Sequence, residues 1–384
     1  MKIAYFDANA TSPVDPQVVE ALLPYLKDKF GNPSSSHSFG ALVKERIEEA
    51  REALRRLVSA KKRNEIYFTS GATESNNLAF QTALAACPGK RHIITTSVEH
   101  HSVLRVAQNL EKQGCQVTYL GVDKNGELDL EELKAALRPD TAIVSVMWAN
   151  NETGTLFPVE KIGALLREKD ILFHADGVQA AGKIFMDAEH AGIDLLSLSA
   201  HKFHGPKGVG ILYVRSGLDL EPVFLGGSQE RGLRPGTENV PGIIGMGRAA
   251  ELAGEFLIDE NTRVRTLRDS IEDVVKRIPG AHINGLNTPR IPNTLNASFS
   301  GIEGEALLLR LDEEGFCASS GSACTAGSTN PSHVLKAMGL ADELALASIR
   351  FSLSRFNTEE EVERLNHLLP RLIMELRGIS SPHN

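Results

Sequence analysis

The chain has 384 residues, 42% hydrophobic and 23% charged, an ordinary composition for a soluble protein and enough length for one large and one smaller core. A formal net charge of −8 with no long basic run argues against nucleic acid or an anionic membrane as the main partner. No apolar run approaches a transmembrane span, and the N-terminus lacks the apolar stretch of a secretory signal. The four cysteines, Cys87, Cys115, Cys317 and Cys324, show no CxxC spacing, which fits a reduced, cytoplasmic setting.

Asp15-Pro16 reads as an N-cap followed by proline at the first helical position. Val19, Leu22, Leu23 and Leu26 then repeat at helical spacing and are expected in the core, with Pro24 kinking the helix. After the turn-rich stretch 31–40 comes a long helix with Ile47, Leu54, Leu57 and Val58 on one face. From residue 65 to 215, seven strand-like runs alternate with mostly helical text, and Asp129 with Glu132 resembles a capping box. Such alternation predicts an α/β fold with a largely parallel sheet covered by helices. A polar, glycine-rich segment (226–239) precedes helical text from Val240 to Arg277. Beyond it, TLNASF and IRFSLS read as strands, EALLLRLDEEG as a helix and CASSGSACTAGSTNP as a loop, with Thr358 and Glu361 placed to cap a last helix. We therefore expect a large unit over residues 15–255 and a smaller α+β unit from 1–14 and 256–384.

In parallel sheets, ligands bind just beyond the carboxyl ends of the strands. That rule selects Thr73, Glu99, His100, Asn151, Asp176 and Lys202. Lys202 closes the apolar run LLSLSAHK; a partly desolvated amine there loses its proton readily and becomes nucleophilic. Asp176 ends ILFHAD, 26 residues earlier. A pyridine cofactor needs this pair, a carboxylate for the ring nitrogen and an amine for its aldehyde carbon. TSGATESNN runs from a strand into a helix, so its backbone N–H groups and the Thr73 hydroxyl make an anion site, to which Ser199 and His201 can add donors. A competing phosphate loop, Gly177 to Lys183, matches GxxxxGK, but Ile184 stands where a magnesium-binding hydroxyl belongs. Cys324 sits among small polar residues that cannot bury themselves, so its thiol is expected to be accessible. Arg350 can clamp a carboxylate, or form an ordinary surface ion pair. No histidine, cysteine or acid spacing points to a metal.

Ten motifs in order, FDANAT, GNPSSSHSFG, TSGATESNN, EHHSVL, ANNETG, HADGVQAAGK, SLSAHKFHGPKG, GGSQERGLRPGTEN, SSGSACT and IRFSLSRF, resemble those of cysteine desulfurases of the NifS/IscS type. The resemblance covers nearly the whole chain. It implies the aspartate-aminotransferase fold (fold type I) and pyridoxal 5′-phosphate as cofactor. It also implies conversion of L-cysteine to L-alanine, with the sulfur passing to Cys324 as a persulfide. By resemblance, Lys202 holds the cofactor and moves the α-proton, and Asp176 partners the ring nitrogen. Gln179 and Asn151 contact the ring oxygen and orient the substrate, and His100 stacks on the ring. Thr73, Ser199 and His201 hold the phosphate, with Thr237 reaching the phosphate of a neighbouring subunit, which implies a homodimer. Arg350, and less strongly Asn32, would bind the substrate carboxylate. A sulfur-acceptor protein such as an iron–sulfur scaffold is the implied partner. Two rival readings remain: another fold-type-I enzyme, such as a selenocysteine lyase or aminotransferase, and a non-catalytic sulfur carrier with the same fold. A dispensable Cys324 would favour the first, and a colourless protein the second.

Overall fold

After a two-residue strand β1 (Ala4–Tyr5), seven strands form one sheet: β2 (Ile66–Thr69), β3 (His92–Thr96), β4 (Gln116–Leu120), β5 (Thr141–Ser145), β6 (Leu172–Asp176), β7 (Leu195–Ser199) and β8 (Gly210–Val214). These come from a computed structural model that describes residues 3–218, 221–320 and 330–380. The spatial order is β2-β8-β7-β6-β5-β3-β4. Every residue of β3, β5, β6, β7 and β8 is buried, as expected for a sheet covered on both faces. Successive side chains go to opposite sides. Ile94, Val144, Phe173, Leu196 and Ile211 join one apolar cluster, while Ile93, Ile143, Leu172, Leu195 and Leu212 join another. Helices α1 (Pro16–Lys27) and α2 (Ser38–Leu57) supply residues to the first cluster, and α3 (Ala72–Ala86) and α4 (His101–Lys112) to the second. Three further helices follow: α5 (Leu130–Ala136), α6 (Val159–Arg167) and α7 (Val240–Glu255).

β8 runs antiparallel to both its neighbours, and the other pairings are parallel. The cause is the connection. Only residues 200–209 join β7 to β8, fewer than a parallel crossover needs. The chain therefore reverses in a tight turn at the carboxyl end of β7, and Lys202 lies in that turn. Gly205 permits it: a Cβ there would stand 2.7 Å from the Ala200 Cβ.

A four-stranded sheet of order β12-β13-β10-β9 follows, from β9 (Ala281–Ile283), β10 (Thr294–Phe299), β12 (Ser319–Ser320) and β13 (Ser348–Ser352). β11 (Phe316–Cys317) pairs with β1, which brings the N-terminus into this region. Its own apolar cluster includes Phe6, Leu295, Phe299, Leu307, Phe351, Leu365 and Leu372.

Several expectations change. Val19, Leu23 and Leu26 are 44%, 40% and 60% exposed; α1 buries Val18 and Tyr25 instead. The periodicity found an apolar face correctly and Leu22 packs on the core, but among the described residues Val19, Leu23 and Leu26 stay largely uncovered. Asp15 does cap α1, accepting from Gln17 N, and Pro24 lies inside the helix. Asp129 caps α5 through Glu131 N, without the reciprocal bond from Glu132. The predicted box at the last helix, Glu359–Ser380, is present: Glu361 N donates to Thr358 Oγ1 and Thr358 N to Glu361 Oε2. Helical text after Val240 is interrupted by a π turn at Glu260–Val264.

Candidate active site

A cavity of about 600 Å³ opens at the carboxyl ends of the large sheet. Thr73, His100, Asn151, Asp176, Gln179, Ser199, His201, Lys202 and Arg350 all line it. They come from five strand ends, turns and helix starts and from the middle of β13, so the fold gathers residues almost 280 positions apart. Glu99, selected by the strand-end rule, is buried and does not line the cavity.

The lysine is held firmly. Lys202 Nζ donates to the carbonyls of Asn9 (2.6 Å) and Ala10 (2.8 Å). Asp176, 5% exposed, accepts from Asn76 Nδ2 at 3.0 Å and from Val178 N at 3.1 Å. Two residues earlier on the same face of β6, His174 bridges Ser145 Oγ and Ser197 Oγ. Burial pushes its imidazole down to about 3, so it is a neutral strut between strands.

Thr73 lies in the first turn of α3, whose N-terminal N–H groups give the cavity an anion-binding end. Ser199 ends β7, and His201 Nδ1 pairs with Thr11 Oγ1 at 3.1 Å. Burial, then the neighbouring Lys202, lowers the His201 pKa to about 4. His100 caps α4, its Nδ1 accepting from Ser102 N at 3.1 Å, and burial lowers its pKa too. Both imidazoles are neutral at pH 7.

Arg350 is the sharpest revision. The surface ion pair that the sequence allowed is instead a buried one: the side chain is 1% exposed and lies within β13, where NH2 donates to Asp7 Oδ1 at 2.7 Å and NH1 to the Asn151 carbonyl at 3.0 Å. Among the described residues its Nε has no partner. Asn32 does not join the cavity; it is exposed and accepts from Ser34 N in a local turn. Thr237 is likewise exposed and outside the lining. Cys324 lies outside the described residues. The stretch before it leaves from β12, whose Ser319 pairs with Arg350; after it, Ser332 Oγ donates to Glu152 and His333 meets the Glu99 carbonyl.

Two residues of the site escaped the sequence reading. Asn9 offers its carbonyl to Lys202 and to Gln179 Nε2, and its Nδ2 donates to the Asn151 carbonyl and Thr294 Oγ1. Asn76 lies on α3 one turn after Thr73, so helical spacing from the phosphate motif was the available signal for it. Asn9 lies in the FDANAT motif, but nothing near it in sequence points to its partner Lys202, 193 residues away.

An amine, a carboxylate, an anion-binding helix start and a buried guanidinium around one cavity define an enzyme that works on a small amino-acid substrate through a bound pyridine cofactor. The chain belongs to the aminotransferase class-V family, which matches residues 4–365. It is 52% identical to a cysteine desulfurase of Nostoc sp., over 99% of this chain and 95% of that protein. It is 49% identical to the cysteine desulfurase NifS of Azotobacter vinelandii, over 99% and 95%. Among solved structures, a NifS-like protein superposes with a TM-score of 0.90 at 41% identity, covering 97% of this chain and all of that one. A structure of SspA in complex with cysteine superposes with a TM-score of 0.82 at 36% identity, covering 92% and 100%. The cofactor is pyridoxal 5′-phosphate. The cavity fits it: Lys202 and Asp176 supply the amine and carboxylate, and Gln179 Oε1, buried with no partner among the described residues, supplies an acceptor for a ring hydroxyl.

Proposed function

We propose that this chain is a cysteine desulfurase that converts L-cysteine to L-alanine and takes the sulfur onto Cys324 as a persulfide. The observation that carries this is the convergence of Lys202, Asp176 and Arg350 on one cavity. Thr73, Ser199 and His201 would hold the cofactor phosphate, with Gln179, Asn151 and His100 around the ring. When bound, the cofactor draws electron density from the substrate's α-carbon. Asp176 would keep a proton on the ring nitrogen, and Asn76 and Val178 N orient its carboxyl group. Arg350 binds the substrate carboxylate. Lys202 Nζ removes the α-proton, and the Cys324 thiolate attacks the substrate sulfur. The C–S bond breaks as the S–S bond forms, so L-cysteine plus thiol gives L-alanine plus persulfide.

The reading extends to a homodimer in which Thr237 serves the neighbouring subunit's cofactor. The exposed apolar side chains Val19, Leu23 and Leu26 on α1, with Phe30 and Phe39 beside them, support it. We divide the chain into a large unit, 15–255, and a small one, 1–14 with 256–384. The separate apolar cluster around Phe299 and Phe351 supports that division, although Ile291, Val334 and Leu335 pack with the large unit. We place the enzyme in the cytoplasm, where it hands sulfur to an acceptor protein such as an iron–sulfur scaffold. No described helix is long and apolar enough to cross a membrane.

The test is alanine production from L-cysteine by the purified protein beside its Cys324→Ala variant. We expect alanine from the first and none from the second. Alanine from both would mean a lyase in which this thiol is dispensable.

A further inference from the structure

Lys183 has no part in the reaction described, yet the protein buries it. It ends the GxxxxGK stretch, which is a series of turns here and not the start of a helix, so it cradles no phosphate. The side chain runs inward, and the residue is 5% exposed. Its Nζ donates to the Lys202 carbonyl at 3.3 Å. The two lysine-bearing turns meet closely: a Cβ on Gly182 would stand 3.1 Å from the Phe203 Cβ. Behind them a small cavity of about 10 Å³ is lined by Lys183, Lys202, His204, Glu260 and Arg355, so Lys202 separates this pocket from the main one. Glu260 belongs to the π turn between α7 and the following helix and is 4% exposed. Such turns often mark functional positions, because the widened coil re-aims a side chain.

We propose that Lys183 is a positioning residue for Lys202: its buried ammonium pins the turn that carries Lys202 and places a second positive charge beside the working amine. This rests on the reading of Lys202 given above. Two like charges in a desolvated region disfavour each other, so the second ammonium favours the neutral amine that the chemistry needs. Burial lowers the Lys183 pKa to about 8, while Glu260 opposes that fall, and Glu260 is itself raised to about 7 by burial. Among the described residues, the titratable groups around the pair include Glu260 from the π turn, His201 and His204 from the turn after β7, His100 at the start of α4, and Arg355 from the segment after β13. Burial drives the histidines neutral, so Glu260 is the counter-charge that keeps Lys183 protonated.

The test uses the full chain freed of cofactor. Lys202 is acylated with a limiting reagent across a pH series, and its modification is followed by peptide mass spectrometry. We expect its half-reaction pH to lie below that of surface lysines, and to rise by about one unit in Lys183→Met. Lys183→Gln keeps a donor for the Lys202 carbonyl without the charge. It should move the half-point as Met does while melting closer to wild type, and it carries the test if the Met variant does not fold. An unchanged half-point in the folded variants would overturn the proposal. Lys202→Ala, assayed for the yellow colour of the loaded protein, tests the underlying reading separately: retained colour would sink that reading without touching the amine titration.

Discussion

Asp176 and Lys202 sit where strands of the large sheet end, whereas Arg350 lies in the middle of β13, paired with Asn296 on one side and Ser319 on the other. The two positions place different demands on the fold. A strand end opens onto a crevice, so a charged residue there keeps access to ligand and can take some of its bonds locally. Asp176 finds one of them two residues on, at Val178 N. A guanidinium in the middle of a covered strand must be compensated inside the protein. Arg350 obtains this from Asp7 and the Asn151 carbonyl, 343 and 199 residues away. The N-terminal segment reaches both positions: Asn9 and Ala10 hold Lys202, and Asp7 holds Arg350. Arg350 itself sits where the smaller sheet, the Asn151 turn and the N-terminal segment meet.

The largest effect should come from the strand-end charge. Asp176→Asn retains an acceptor for Val178 N but loses the negative charge. We expect kcat for alanine formation to fall about a hundredfold or more, with KM for L-cysteine little changed and part of the cofactor retained. Near-wild-type turnover would remove the role assigned to Asp176. The mid-strand residue should behave differently. Arg350→Lys keeps a charge for Asp7 but cannot offer two parallel donors to a carboxylate. Here KM should rise about tenfold or more with a smaller change in kcat. If kcat fell and KM held, Arg350 would be supporting the reacting atoms and not the substrate carboxylate.

The same contrast explains what could be read from the sequence. Strand-end residues follow from the pattern alone, because an apolar run stopping at Asp176 or Lys202 marks both a strand and its exit. All seven strands of the large sheet lie within the runs identified that way. Arg350 was identifiable through its motif, but its burial was not, since the pairing of β13 with β10 and β12 is long-range. Asn9 was missed for the same reason: its neighbours in sequence say nothing of Lys202. The exposed face of α1 shows the limit of periodicity, which finds an apolar stripe without saying what covers it.

Two buried carboxyls sharpen the comparison, one near each charge. Glu99 lies behind Asp176; its Oε1 accepts from Thr96 Oγ1 and Met147 N, and among the described residues its Oε2 has no partner. Burial, with the Asp176 charge adding, pushes its pKa up to about 8. Glu152 lies near Arg350 and accepts from Ser332 Oγ at 2.5 Å; burial raises it to about 7 while Ser332 and the Arg350 charge pull it down. In each case the folded protein keeps a proton that the unfolded chain loses near the ordinary glutamate value of about 4.3. Stability therefore declines as pH rises from there to about 8 for Glu99 and about 7 for Glu152. Glutamine cannot ionise and removes that decline. Glu99→Gln should melt with the wild type at low pH and a few degrees above it at pH 8. Glu152→Gln should gain less, because its window is narrower and a cation stands nearby. Melting curves across pH 5 to 8 check both: equal gains would mean that the neighbouring charges of Asp176 and Arg350 do not reach these carboxyls, and that burial alone sets them apart from ordinary glutamates.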